Sequence, residues 1–270
     1  MANINTDKTR IPDNAGTLND DFNFSVIEAY KAIRTNLIFA LPANKKCKKV
    51  LFTSALPSEG KTTTSVNTAI TIAQTATKTL IIDCDLRKPR VHQKFGLTNE
   101  VGLSNVLSGM STLEEAIKPT GKDNLWAITS GVLPPNPAEL LGSEAMKDVI
   151  ARLEQVFDYI IIDTPPVNIV ADTLSLTKLV DGVVLVVRFK SSTHPAVKDA
   201  LAKLEFVDAN VIGTIMNSVT YSNTKKYYRG KYSKYGYKYS KYGSGYGYGY
   251  GYGYGYGYGN NTKNKSNEDK

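Results

Sequence analysis

Six short apolar runs recur along the first 217 residues: "KVLFTSA", "TLIIDCD", "LWAITSG", "YIIIDTPP", "GVVLVVRF" and "VIGTIMN". Each is about strand length, and each is hydrophobic almost throughout rather than at alternate positions. That pattern marks strands buried on both faces. Between and after them lie helical patterns over Thr62–Thr75, Pro137–Phe157, Ala171–Val180 and His194–Phe206. A further helix precedes them, with Val26, Ile27, Tyr30, Ile33, Leu37 and Ile38 at helical spacing. Strands alternating with helices predict an α/β fold of the P-loop NTPase kind, a mostly parallel sheet with helices on both faces. In such sheets ligands bind at the carboxyl ends of the strands.

The pattern divides the chain into three parts: a polar, flexible N-terminus over 1–21, a folded domain over 22–221, and a disordered tail over 222–270. The tail collapses into Tyr, Gly, Lys, Ser and Asn; glycine makes ordering costly, and there is no second apolar face to bury. Charge follows the same division. Of 33 basic and 25 acidic residues, the tail holds ten and two, which leaves 23 of each in residues 1–221. The net charge of +8 is therefore the tail's alone. The tail also holds fourteen of the 17 tyrosines: Tyr227, Tyr228, Tyr232, Tyr235, Tyr237, Tyr239 and Tyr242, then Tyr246, Tyr248, Tyr250, Tyr252, Tyr254, Tyr256 and Tyr258. The polar start and the lack of any run of ~18 apolar residues predict a cytoplasmic protein with reduced cysteines, whose membrane address comes from a partner.

Chemistry enters with "ALPSEGKT" at 55–62, which ends one strand and opens a helix. It fits the phosphate-binding pattern G-x-x-x-x-G-K-[ST] except that Ala55 replaces the first glycine. Backbone from Ala55 through Pro57, Ser58, Glu59 and Gly60 to Thr63 is expected to cradle ATP phosphates, with Lys61 on the β/γ oxygens and Thr62 on Mg²⁺. Asp83 and Asp85 leave the second strand two residues apart and so point to one mouth. Asp163 follows four apolar residues in the Walker-B arrangement. Three carboxylates arriving beside a phosphate loop suit Mg²⁺, which prefers oxygen ligands. His92 and His194 lack ligand spacing, Cys84 is expected to point inward, Trp126 reads as core, and Arg188 and Lys190 read as solvated charge.

These motifs, "ALPSEGKTTT", "LIIDCDLRKP" and "YIIIDTPP" with the tyrosine cluster behind them, resemble the bacterial tyrosine kinases of the capsular and exopolysaccharide CpsD/CapB family. The resemblance implies an ATP- and Mg²⁺-dependent protein-tyrosine kinase. Lys61 would serve the phosphates; Thr62, Asp83, Asp85 and Asp163 would hold the metal. One of the paired aspartates would activate the incoming hydroxyl, with Asp83 slightly preferred. It further implies that Glu28, Lys31 and Arg34 form a helix face linking protomers in a homo-oligomeric ring, with lysine where arginine is usual. Asn217 would read the adenine edge. The implied partners are a membrane-bound activator (a polysaccharide co-polymerase) that recruits the kinase to the inner face of the membrane, a tyrosine phosphatase and protein substrates.

On this reading the tail is the substrate, phosphorylated in trans. Its 37 residues from Ser222 to Tyr258 reach roughly 30 to 35 Å as a flexible chain. Each phosphotyrosine adds about −1.5 to −2 charges, so the unmodified tail is expected to dock on an acidic-rimmed site or on a neighbour, and the modified tail to be repelled and to loosen the ring. Two other functions compete. A deviant-Walker partition ATPase would carry lysine at position 56, where this chain has Leu56. A nucleic-acid-binding tail would use Lys charge and Tyr stacking, but Arg229 is its only arginine and the remainder of the chain is neutral; no nucleic-acid partner is expected.

Overall fold

The computed structural model describes residues 17–18 and 23–219. The tail and its fourteen tyrosines lie outside the described residues, and the chain divides into two units at Thr224/Lys225. In chain order the elements are α1 (Phe24–Ala40), β1 (Lys48–Ser54), α2 (Lys61–Ala73), β2 (Thr79–Asp83), α3 (Val91–Phe95), α4 (Leu103–Leu107), α5 (Leu113–Ala116), β3 (Ile117–Pro119), β4 (Leu125–Ile128), α6 (Pro137–Leu141), α7 (Glu144–Leu153), β5 (Tyr159–Asp163), α8 (Asp172–Leu176), β6 (Gly182–Arg188), α9 (His194–Phe206) and β7 (Val211–Asn217).

The seven strands form one sheet in the order β3-β4-β2-β5-β1-β6-β7, parallel except for β3 against β4. Each of the six apolar runs forms a strand. Successive side chains on a strand face opposite ways, and the core splits accordingly. Leu51, Leu80, Ile82, Ile160, Ile162, Val183 and Leu185 pack to one side with residues of α4, α7 and α9. Val50, Phe52, Ile81, Ile161, Val184 and Val186 pack to the other, against α1 and α2. With both faces covered, the strands β1, β2 and β5 are almost wholly buried.

Four details depart from the sequence pattern. The helix expected over 137–157 is two, α6 and α7, because Ser143 caps the second: its Oγ accepts the Met146 N–H at 3.3 Å. The helix expected over 171–180 tightens after Leu176 into a 3₁₀ turn, Thr177–Leu179. The three-residue strand β3 was too short to show in the pattern. Finally, part of the N-terminus expected to be flexible is docked: Leu18 is buried, and its N–H bonds Asn67 Oδ1 at 2.9 Å. No helix among the described residues is long and apolar enough to cross a membrane.

Candidate active site

β1, β2 and β5 are neighbours, and their carboxyl ends deliver the site. Asp83 and Asp163 are register partners on β2 and β5, so both carboxyls stand at the same height of the sheet. The segment 55–60 leaves β1 and turns into α2. Its backbone is left-handed at Ser58 (φ 65°) and at Gly60 (φ 91°), a geometry that turns successive N–H groups inward as an anion nest. A Cβ on Gly60 would sit 1.9 Å from Asn217 Nδ2, so glycine is required there twice over, by φ and by space. α2 then opens with no side-chain cap, leaving its first N–H groups for an anion.

Lys61 projects into the space between the carboxylates. Its Nζ lies 2.8 Å from Asp85 Oδ2 and 3.8 Å from Asp163 Oδ2. Thr62 Oγ1 donates to Asp163 Oδ2 at 2.6 Å, and Ser65 Oγ donates to Asp163 Oδ1 at 3.1 Å. Asp83 is turned differently. Its oxygens accept the backbone N–H groups of Asp85, Arg90 and Val91 at 2.9 to 3.2 Å. The Asp85 carboxylate in turn accepts the Lys88 N–H at 3.0 Å.

The electrostatics follow from burial. Asp83 and Asp163 are fully buried. Burial, reinforced by the Asp163 charge, pushes the Asp83 carboxyl up to about 7. Burial also raises Asp163, against the opposing pull of Lys61 and Thr62. Burial alone would lower Lys61, but the Asp163 and Asp85 carboxylates outweigh it and hold the ammonium above its usual range. Cys84 is buried between the acids; burial and the Asp83 charge lift its thiol well out of the reactive range. Two carboxylates, Asp85 and Asp163, thus lie 2.8 and 3.8 Å from one ammonium, with the Thr62 hydroxyl on the second; all are oxygen donors, the kind that fits Mg²⁺. Among the described residues no group of three or more His, Cys, Asp or Glu is placed to hold a metal ion by itself.

Several residues singled out in the sequence make further contacts. Glu59 does not face the pocket; it is buried, accepts the Leu56 N–H at 3.0 Å and receives the Ser192 hydroxyl, bracing the loop from within. Asn217 gives its amide N–H to Glu59 O at 3.1 Å, tying β7 to the loop. Asp83 organises the 84–91 backbone. Asp85 is the carboxylate on the lysine side. Arg188 is more than solvated charge: its Nη1 donates to Ser58 O at 3.0 Å. Ala55 is fully buried; Pro57 and Ser58 are exposed, and Thr63 is half-buried. Glu28 and Lys31 pair with each other on the exposed face of α1, while Arg34 reaches across to Thr71 O at 2.9 Å and joins α1 to α2.

The rim is not acidic. In the segments 55–60, 84–90, 164–171 and 188–193 that border the Lys61 pocket, every carboxylate is buried, and the exposed charges are Arg87, Lys88, Arg90, Arg188 and Lys190. Two contacts were missed in the sequence. Ser65 sits three residues past Thr62 and so shares its face of α2. Arg87 forks onto the buried Asp172 through Nε and Nη2 at 2.8 and 3.0 Å; nothing in the sequence pattern joins those two positions.

The geometry is that of a nucleotide-binding P-loop, and comparison with known proteins specifies it. A family model described as an AAA domain matches residues 58–215. The tyrosine-protein kinase YwqD of Bacillus subtilis is 41% identical over 210 residues, covering 78% of this chain and 85% of that protein. The chain belongs to the bacterial tyrosine-kinase family of CpsD and CapB. The putative tyrosine-protein kinase CapB of Staphylococcus aureus is 37% identical, covering 76% of this chain and 89% of that one. Among solved structures, the kinase domain of the Escherichia coli tyrosine kinase ETK superposes with a TM-score of 0.70 at 34% identity, covering 83% of this chain and 81% of that one. The partition-ATPase alternative is not favoured: Leu56 stands where its lysine would be, and these relatives are kinases.

Proposed function

We propose that this chain is a protein-tyrosine kinase of broad acceptor range that transfers phosphate from ATP to the tyrosines of its own C-terminal cluster, Tyr227 to Tyr258, on a neighbouring copy. The observation that carries the proposal is the convergence of Lys61 with Asp85 at 2.8 Å and Asp163 at 3.8 Å beside an open phosphate loop, in a chain that ends in fourteen glycine-spaced or clustered tyrosines. Phosphoryl transfer asks mainly for positioning and charge neutralisation, and each residue has such a task. The backbone of 55–63 holds the phosphates. Lys61 exchanges its Asp85 partner for phosphate oxygen. Asp85, freed of the lysine, accepts the proton of the tyrosine hydroxyl. Asp83 keeps the 84–91 loop in place. Thr62, Asp163 and Asp85 are the groups that would hold Mg²⁺, directly or through water, and the ion would neutralise phosphate charge there.

The same reading places the kinase in capsule or exopolysaccharide synthesis, as a homo-oligomeric ring recruited to the membrane by a separate activator and reset by a phosphatase. One of the solved relatives is a chimera, CapA2B2, 37% identical with a TM-score of 0.68. The test is direct. Incubated with Mg-ATP and the cytoplasmic segment of an activator, the full chain is expected to gain phosphate within 227–258, read by intact mass and site mapping. Lys61→Met should gain none. Replacement of all fourteen tail tyrosines by phenylalanine should abolish incorporation and leave ATP affinity unchanged; undiminished phosphate elsewhere would refute the proposal.

A further inference from the structure

The cations around the pocket are not distributed as ordinary surface charge. Residues 1–221 carry as many acids as bases, yet every exposed charge bordering the pocket is basic. Two of these cations are committed: Arg87 to Asp172, and Arg188 to the Ser58 carbonyl. Lys190 lies over the Phe189 ring, 5.7 Å from its centroid; Lys88 and Arg90 have no such contact. Among the described residues neither side chain has a hydrogen-bond or ion-pair partner, and both are exposed. Their backbone, by contrast, is fixed. The Lys88 N–H is held by Asp85 Oδ1 at 3.0 Å and the Arg90 N–H by Asp83 Oδ2 at 3.0 Å. A rigid loop, anchored on two pocket aspartates, therefore presents an ammonium and a guanidinium two residues apart with no anion to satisfy them.

We propose that Lys88 and Arg90 form a docking site for phosphotyrosine, the product of the neighbouring pocket, carried on the tail of another copy. The inference rests on the kinase reading above. An ammonium supplies a point charge and a guanidinium a two-pronged donor, the pair that suits a phosphate monoester. The unmodified tail, with its surplus of +8, is repelled by this rim; a phosphorylated tyrosine is drawn to it. In the Tyr-Gly repeat, successive acceptors are two residues apart, about 7 Å in extended chain. A phosphotyrosine held at Lys88 and Arg90 would thus keep the next hydroxyl within one repeat of a loop whose backbone is bonded to Asp85. The first transfer is slow and the later ones on the same tail are fast.

The test uses the full-length Lys61→Met chain, which cannot modify itself, and two peptides of sequence 245–259, one unmodified and one phosphorylated at Tyr252. The phosphopeptide is expected to bind about tenfold tighter by fluorescence anisotropy, the scale of one or two charge-assisted hydrogen bonds. Added salt should erode that advantage. Charge reversal by Lys88→Glu with Arg90→Glu should abolish the preference, while the same pair of changes in the otherwise native chain leaves ATP affinity and thermal midpoint unchanged. Equal binding of the two peptides, or a preference that survives the charge reversal, overturns the proposal. So does a parallel loss of ATP affinity, which would make the rim a nucleotide subsite. None of these outcomes bears on whether the chain is a kinase, which the Mg-ATP experiment decides separately.

Discussion

Lys61 and Asp85 form a closed ion pair across the pocket, 2.8 Å apart, with side chains only 13% and 6% exposed. The lysine expected to grip phosphate is held, before nucleotide arrives, by the carboxylate expected to face the acceptor. On the proposed mechanism, nucleotide binding would free Asp85 as it engages Lys61.

Asp85→Asn separates the two roles. With its partner neutralised, Lys61 is freer to meet phosphate, and nucleotide affinity measured without metal should rise. Phosphotransfer should fall by about 10² to 10⁴, the scale of a lost general base. A variant that binds nucleotide more weakly and transfers phosphate normally would contradict both assignments.

The buried acids give the protein a pH signature. Folding raises the Asp83 carboxyl from 3.8 to about 7, and Asp163 moves in the same direction. Between those values the folded chain holds protons that the unfolded chain releases, so stability falls as pH rises through that window. Lys61 does not oppose this trend; its shift is upward from 10.5, so its contribution is lost only in alkali. Nucleotide-free protein should therefore melt a few degrees lower near about pH 8 than near about pH 5. Asp83→Asn should flatten part of the slope, and Mg-nucleotide should raise the midpoint more at the higher pH. Scanning calorimetry across that range reads all three.

Gly60→Ala should destroy ATP binding in a chain that still folds. The new methyl would need φ near 91° and would strike Asn217 Nδ2 at 1.9 Å. Adding Asn217→Ala removes the collision but not the left-handed backbone, so binding should return only in part. Isothermal titration of the single and double variants separates the two causes.

Arg87→Lys tests the unpredicted fork on Asp172. Lysine cannot make both contacts, and Asp172 is buried with its side chain 1% exposed. The arginine is 43% exposed, so water can partly compensate and the cost should stay near ~1 kcal/mol in urea unfolding. Because Arg87 lies on the loop that carries Asp85, phosphotransfer should drop more than stability does.

The sequence disclosed the sheet and the cluster for the same reason. Strands such as "YIIID", buried on both faces, need continuous apolar residues and then a polar residue where the strand meets solvent or ligand, so Asp163 announces itself. Its bond to Thr62 could be anticipated from the phosphate-loop pattern. What the pattern could not carry was direction. Asp83 and Asp85 look equivalent in "IIDCD", yet β2 ends at Asp83. Beyond that point strict alternation no longer governs, and the two side chains part company. Likewise Glu59 sits inside a motif full of ligand-binding residues but turns inward to cap Leu56, a choice set by the fold of the loop. The rim, expected to be acidic, is basic because the aspartates are buried and the arginines and lysines lie outside.

The bond from Asn217 to Glu59 joins the 55–60 loop to the end of β7, the last strand among the described residues, 158 positions later. A growing polypeptide therefore lacks this brace until nearly the whole domain has been synthesised, and a fragment stopping short of β7 lacks it permanently. Whatever rigidity the 55–60 loop draws from this brace therefore comes only once β7 has joined the sheet.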